Sequence, residues 1–211
     1  MSKACNILFA GFGGQGILFA GKFVAYKGLL ENKQVSWLPS YGPEMRGGTA
    51  NCSVIVSDEP IGSPIVGKPD VLVAMNLPSL DKYENEVVSG GKIFVDSTLI
   101  TRKIERTDVD VFYIPATQLA NEQGISTLAN MIITGKLLKE VEALGFDGID
   151  APLSKVVSAR RQNLLTAICR RMPGIQRQKK SVLYRWRKNT FFARDGMMME
   201  NIWMYSWNTP M

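Results

Sequence analysis

The sequence predicts an α/β domain in which helices flank a mainly parallel sheet. Short apolar runs alternate with stretches of helical periodicity from residue 6 to residue 165, as they do where strands and helices succeed one another along a chain. Some runs, Val71-Leu72-Val73-Ala74-Met75 above all, are apolar throughout, which suits parallel strands covered on both faces. A chain of 211 residues is long enough to bury one sizeable core.

The first strand is Ile7-Leu8-Phe9-Ala10. It breaks into Gly11-Phe12-Gly13-Gly14-Gln15-Gly16, and a helix follows to about Leu30, with Ile17, Ala20, Gly21, Val24 and Ala25 on one face. A glycine-rich turn at a helix N-terminus is an anion site, because its N–H groups point outward and glycine admits a phosphate close to the backbone. Gly11, Gly13 and Gly16 match G-x-G-x-x-G, so the opening unit is Rossmann-like. The dinucleotide fingerprint also needs an acid at the end of the second strand, to hold a ribose hydroxyl. That strand is residues 34–38, followed by Pro39 and Ser40, while Glu31 precedes it. A stand-alone NAD- or FAD-binding reading therefore lacks its second anchor. In the plainer alternative the glycines serve only a tight turn.

Residues 39–49 contain Pro39, Gly42, Pro43, Gly47 and Gly48 and read as an irregular loop. Arg46 beside the paired glycines suits a fork of donors to a phosphate or carboxylate; the bland alternative is a solvated surface arginine. Residues 50–57 form a strand with Cys52, Val54 and Val56 on one face, and residues 61–68 a connection. After the strand at 71–75, a helix opens at 76–79 with Pro78 or Ser79 near its start, runs to about Val88 and stops at Gly90-Gly91. Strands follow at 92–96 and 109–114, then a short helix at 117–124. A longer helix runs from 126 to about 144, closed by Gly145. Its core face is Leu128, Met131, Ile132, Leu138 and Val141; Asn130 is the polar residue among them, either a buried hydrogen-bonding group or a ligand contact. Asp150 caps a last helix, with Pro152 in its first turn and Leu153, Val156, Val157, Leu164 and Leu165 on its apolar face.

Composition narrows the chemistry. There is no histidine, hence no histidine base or zinc ligand of that kind. Cys5, Cys52 and Cys169 are far apart and form no C-x-x-C, so each reads as a small buried hydrophobe. The charge of +6 sits in the tail: residues 166–211 hold nine Lys or Arg against Asp195 and Glu200, leaving 1–165 near neutral. The tail also carries Trp186, Trp203 and Trp207 with weak periodicity. The chain thus divides into a domain at 1–165 and a basic, Trp/Met-rich extension at 166–211, to which no function is assigned. No recognisable nucleic-acid module accompanies the tail, and a nucleic-acid partner is not expected. With no 18-residue apolar run and no secretory leader, a cytoplasmic protein without a membrane partner is expected.

GFGGQGILFAGK near the start, SYGPEMRGGTANCSVIVS after it and LANMIITGKLL further on together resemble the gamma subunit of 2-oxoacid:ferredoxin oxidoreductases, the pyruvate/ketoisovalerate catalytic-domain family. GPEMRGG looks most like the 2-oxoglutarate type. The resemblance covers residues 4–165, and the tail departs from it. It implies a subunit of an enzyme complex that carries no catalytic residue of its own and helps to hold coenzyme A. Thiamine diphosphate and iron–sulfur clusters would sit on partners, namely alpha, beta and delta subunits, and electrons would leave through ferredoxin. Carried over position by position, the implied coenzyme A contacts are Gly11, Gly13, Gly14, Gln15, Gly16, Gly42, Arg46, Gly47, Gly48 and Asn130, with no metal ligand.

Overall fold

The computed structural model describes residues 4–40, 49–145, 148–156 and 176–178, all in the first of two compact units, 1–180. Strand β1 (Cys5–Phe12) leads through the glycine turn into helix α1 (Ile17–Leu30). Strands β2 (Gln34–Ser40) and β3 (Thr49–Ser57) follow. Next come β4 (Val71–Ala74), α2 (Leu77–Tyr83), β5 (Lys92–Asp96) and β6 (Asp110–Ile114). Helices α3 (Ala116–Glu122), α4 (Ala129–Glu140) and α5 (Asp150–Val156) complete the main body, and β7 (Gln176–Gln178) adds a last strand.

The strands form one sheet in the order β2-β3-β1-β4-β5-β6-β7. Pairings β1–β4, β4–β5 and β5–β6 are parallel, as the continuous apolar runs predict. The flanks are antiparallel: β3 against β1, β2 against β3, and β7 against β6. The α/β class holds, with a parallel centre and antiparallel margins.

Two cores lie on the two faces of this sheet. Ile7, Phe9, Cys52, Val54, Val73 and Phe94 pack on the first face beneath α1, α3, α4 and α5. Phe94 and Phe112 stack there with centroids 4.7 Å apart. Leu8, Ala10, Leu72, Ile93 and Val111 face the other way, against Leu80 and Tyr83 of α2 and Ile100 and Ile104 of the segment after β5. Alternate strand residues divide between the two, as the period of two requires.

Several boundaries differ from the sequence expectation. Pro39 and Ser40 belong to β2 rather than to a loop, with Pro39 opposite Cys52; β2 is an edge strand, where proline is tolerated. The helix expected to reach Val88 ends at Tyr83 and tightens into a 3-10 turn, Glu84–Glu86. The carbonyls of Glu84 and Val87 instead accept from Arg106 Nη1, at 2.7 and 2.9 Å. The cap of α2 is Asn76, ahead of Pro78 and Ser79. The helix expected over 126–144 starts as a 3-10 turn, Ser126–Leu128, and α4 stops at Glu140. Val141 turns extended there, and both it and Leu144 reach the first core. The positions Val157, Leu164 and Leu165, like nearly all of the basic tail, lie outside the described residues.

Candidate functional site

Neighbouring strands β1 and β4 send the chain to opposite faces. Helix α1, after β1, packs into the first core, while α2, after β4, packs into the second. Where adjacent parallel strands part in this way, their carboxyl ends open a crevice, and ligands of open α/β sheets bind at such switch points.

The glycine turn forms one lip of that crevice. Gly14 has φ +93° and Gly16 φ +75°, left-handed conformations that favour glycine. Gln15 shapes the turn with its side chain. Its Oε1 accepts the Phe12 N–H at 2.6 Å, and its Nε2 donates to the Met75 carbonyl at the end of β4, 2.9 Å away. One amide therefore clasps both sides of the switch point. Gly11 is glycine for the same reason, since a Cβ there would lie 2.6 Å from Gln15 Oε1 and 2.7 Å from Ile17 Cδ1.

Gly16 opens α1, which has no side-chain cap and no acidic residue in its first turn. The unpaired N–H groups at the start of this 14-residue helix and its dipole thus favour an anion. Gly13 and Gly14 are exposed, and a Cβ on Gly14 would meet nothing within 4 Å. The open backbone at Gly14 fits a phosphate. The Gly16 carbonyl accepts from Asn130 Nδ2 at 2.9 Å, so the first turn of α4 is tied to the head of α1. A Cβ on Gly16 would lie 2.6 Å from that nitrogen. Asn130 is 2% exposed, and its Oδ1 is buried without a partner among the described residues. Of the two readings of Asn130 from sequence, the structure shows the buried hydrogen-bonding group, with one acceptor left over among the described residues.

The structure thus brings Gly11, Gly13, Gly14, Gln15, Gly16 and Asn130 together around the end of β1. Gly42, Arg46, Gly47 and Gly48 lie outside the described residues, between the end of β2 and the start of β3. Sequence reasoning passed over Asn76 and Ser79, which stand on the far lip of the crevice. The signal was Asn76 itself, a strong N-cap type directly after an apolar strand.

Cys5 and Cys52 are buried. Burial pushes the Cys52 thiol up to about 12, against a smaller lowering by a hydrogen bond with Trp37. It is protonated and unreactive at neutral pH. Among the described residues no group of His, Cys, Asp and Glu could hold a metal ion, and no helix is long and apolar enough to cross a membrane.

The family description "pyruvate ferredoxin/flavodoxin oxidoreductase" matches residues 6–175. The chain is 43% identical over 145 residues to ketoisovalerate oxidoreductase subunit VorA of Methanothermobacter thermautotrophicus, a match covering 69% of this chain and 29% of that protein. It therefore spans under a third of the length of that relative. It is 40% identical over 137 residues to 2-oxoglutarate synthase subunit KorC of Methanocaldococcus jannaschii, covering 64% of this chain and 73% of that one. Among solved structures, the gamma subunit of a keto/oxoacid ferredoxin oxidoreductase from Geobacter sulfurreducens superposes with a TM-score of 0.68 at 27% identity, covering 78% of this chain and 94% of that one.

Proposed function

The chain belongs to the pyruvate ferredoxin/flavodoxin oxidoreductase family, and from that premise we propose that it is the gamma-type subunit of a 2-oxoacid:ferredoxin oxidoreductase that helps to hold coenzyme A. The observation that carries this reading is the uncapped head of α1 at the switch point, with Gly14 and Gly16 in left-handed conformations and no acid in the first helical turn. Coenzyme A brings a pyrophosphate and a 3′-phosphate, which such a helix start attracts. Gly13, Gly14 and Gly16 would hold phosphate by backbone N–H groups, with Gln15 and Asn130 fixing the turn. Gly42, Arg46, Gly47 and Gly48 are the further contacts that the family resemblance implies. When bound, coenzyme A supplies the thiol that accepts the acyl group. Thiamine diphosphate, the iron–sulfur clusters and the handover to ferredoxin belong to alpha, beta and delta partners. The GPEMRGG segment favours 2-oxoglutarate as the substrate.

The stand-alone NAD or FAD reading loses support on topology. In the dinucleotide fold the second strand lies beside the first and its end carries the ribose acid. Here β3 runs antiparallel between β1 and β2.

The test is the chain assembled with its partner subunits. Ferredoxin reduction should require coenzyme A and run faster with 2-oxoglutarate than with 3-methyl-2-oxobutanoate; the reverse preference would reassign the substrate. Calorimetry of the complex should show coenzyme A binding and no NAD binding, and NAD binding alone would sink the proposal. Arg46→Ala should weaken coenzyme A-dependent turnover roughly 10- to 150-fold with the fold intact, the loss of about 1.5–3 kcal/mol expected for a charge-assisted contact.

A further inference from the structure

Opposite the glycine turn, Asn76 and Ser79 present a second polar pair. Asn76 directly follows Met75, whose carbonyl Gln15 holds. The two side chains are buried, at 2% and 0% exposure. Asn76 Oδ1 accepts the Ser79 N–H at 2.8 Å, which commits the oxygen to the cap and leaves Nδ2 as the free end of the amide. Among the described residues neither Asn76 Nδ2 nor Ser79 Oγ has a hydrogen-bond partner. Buried polar groups are nearly always paired, because an unpaired one has lost water and gained nothing. Two such atoms in one helical turn, at the crevice where ligands of this architecture bind, are open to a partner that the described residues do not supply.

Their chemistry says which partner. Nδ2 can only donate, and Oγ can donate as well as accept. On the glycine-turn side, where Asn130 Nδ2 holds the Gly16 carbonyl, its Oδ1 can only accept and also has no partner among the described residues. The α2 side therefore offers donors and the α4 side an acceptor.

We infer that Asn76 and Ser79 form a binding subsite for a hydrogen-bond acceptor oxygen of the ligand in the switch-point crevice. The inference rests on the coenzyme A reading above. Within that ligand the oxygen belongs either to a phosphate or to an amide carbonyl of the pantetheine arm, and both offer the same acceptor chemistry.

The test uses the assembled complex with Asn76→Ser, which keeps a good helix cap but removes the amide donor, and Ser79→Ala, which removes only the unpaired hydroxyl. Dissociation constants are measured by calorimetry for coenzyme A, for adenosine 3′,5′-bisphosphate and for pantetheine, with melting temperatures alongside. Each variant should weaken coenzyme A binding about three- to tenfold, with the melting temperature of Ser79→Ala unchanged or raised. A loss that follows pantetheine identifies the carbonyl, and one that follows the bisphosphate identifies the phosphate. Wild-type affinity in both variants, in a complex that binds coenzyme A, overturns the subsite and leaves the proposed function standing. A wild-type complex that binds no coenzyme A overturns both. Affinity that falls only in step with the melting temperature marks a purely structural role and overturns the subsite.

Discussion

The first face of the sheet is covered by α1, α3, α4 and α5 mainly through apolar contact, with few side-chain hydrogen bonds such as Asn130 to Gly16 and Thr117 to Asp96, whereas the second is covered by α2 and by the segment between β5 and β6, which polar groups pin in place. Ile100 and Ile104 seat that segment in the second core. Its course is set by hydrogen bonds: Tyr113 Oη accepts the Ile104 N–H at 2.8 Å. Arg102 meets Glu84 and lies 2.9 Å from Asp81. Arg106 spans two carbonyls of the turn after α2 and, at 2.6 and 2.9 Å, the carboxylate of Asp108, which it holds below its usual range. Non-directional burial tolerates variation in detail, while an irregular cover depends on a few directional bonds. The crevice lies where the chain divides between the two covers.

That contrast can be broken by mutation. The largest effect is expected on the helical face: Phe23→Ala, at a side chain with 0% exposure, should cost about 3–5 kcal/mol in chemical denaturation, the range for a large core truncation. A cost below about 1 kcal/mol would mean that α1 is not held by burial. Arg106→Ala should cost less, about 1–3 kcal/mol, mainly from carbonyls left unpaired. Amide exchange should rise over residues 97–109 and stay unchanged in α1; a uniform rise would show that the two covers fail as one unit. The smallest effect at neutral pH, where it vanishes, is a pH dependence carried by Cys52 on the first face. The folded state keeps the Cys52 proton to about pH 12, while the unfolded chain releases it near pH 8.5. Above that value the unfolded state binds fewer protons, so stability falls with rising pH by up to about 1.4 kcal/mol per unit. Cys52→Ala should flatten the decline between pH 9 and 11, and an unchanged slope would assign it to other groups.

The same contrast explains what was legible in the sequence. Helix α1 and strand β5 announce themselves by apolar period, because burial on a regular element leaves a regular trace. Asn130 stood out as a polar residue breaking such a trace. The early end of α2 did not, since it depends on Arg106, which lies 22 and 19 residues from the carbonyls it takes. Strand β7 has only three residues, too few to show a period. The role of Gln15 was hidden for a related reason, because its contact with Met75 joins residues 60 positions apart. The glycines gave away the turn, but nothing local told which side chain would hold it.

Gln15 has a consequence for the speed of binding. A glycine-rich turn is costly to immobilise, because glycine has more backbone freedom to lose than any other residue. The amide clasp to Phe12 and Met75 fixes the turn when the chain folds, before any ligand arrives. Encounter then needs no ordering step, and association should be fast and weakly temperature-dependent. Gln15→Ala would restore that step: if the proposed coenzyme A site is right, stopped-flow mixing of the assembled complex with coenzyme A should show slower association with dissociation little changed, and a loss confined to dissociation would mean that Gln15 touches the ligand instead.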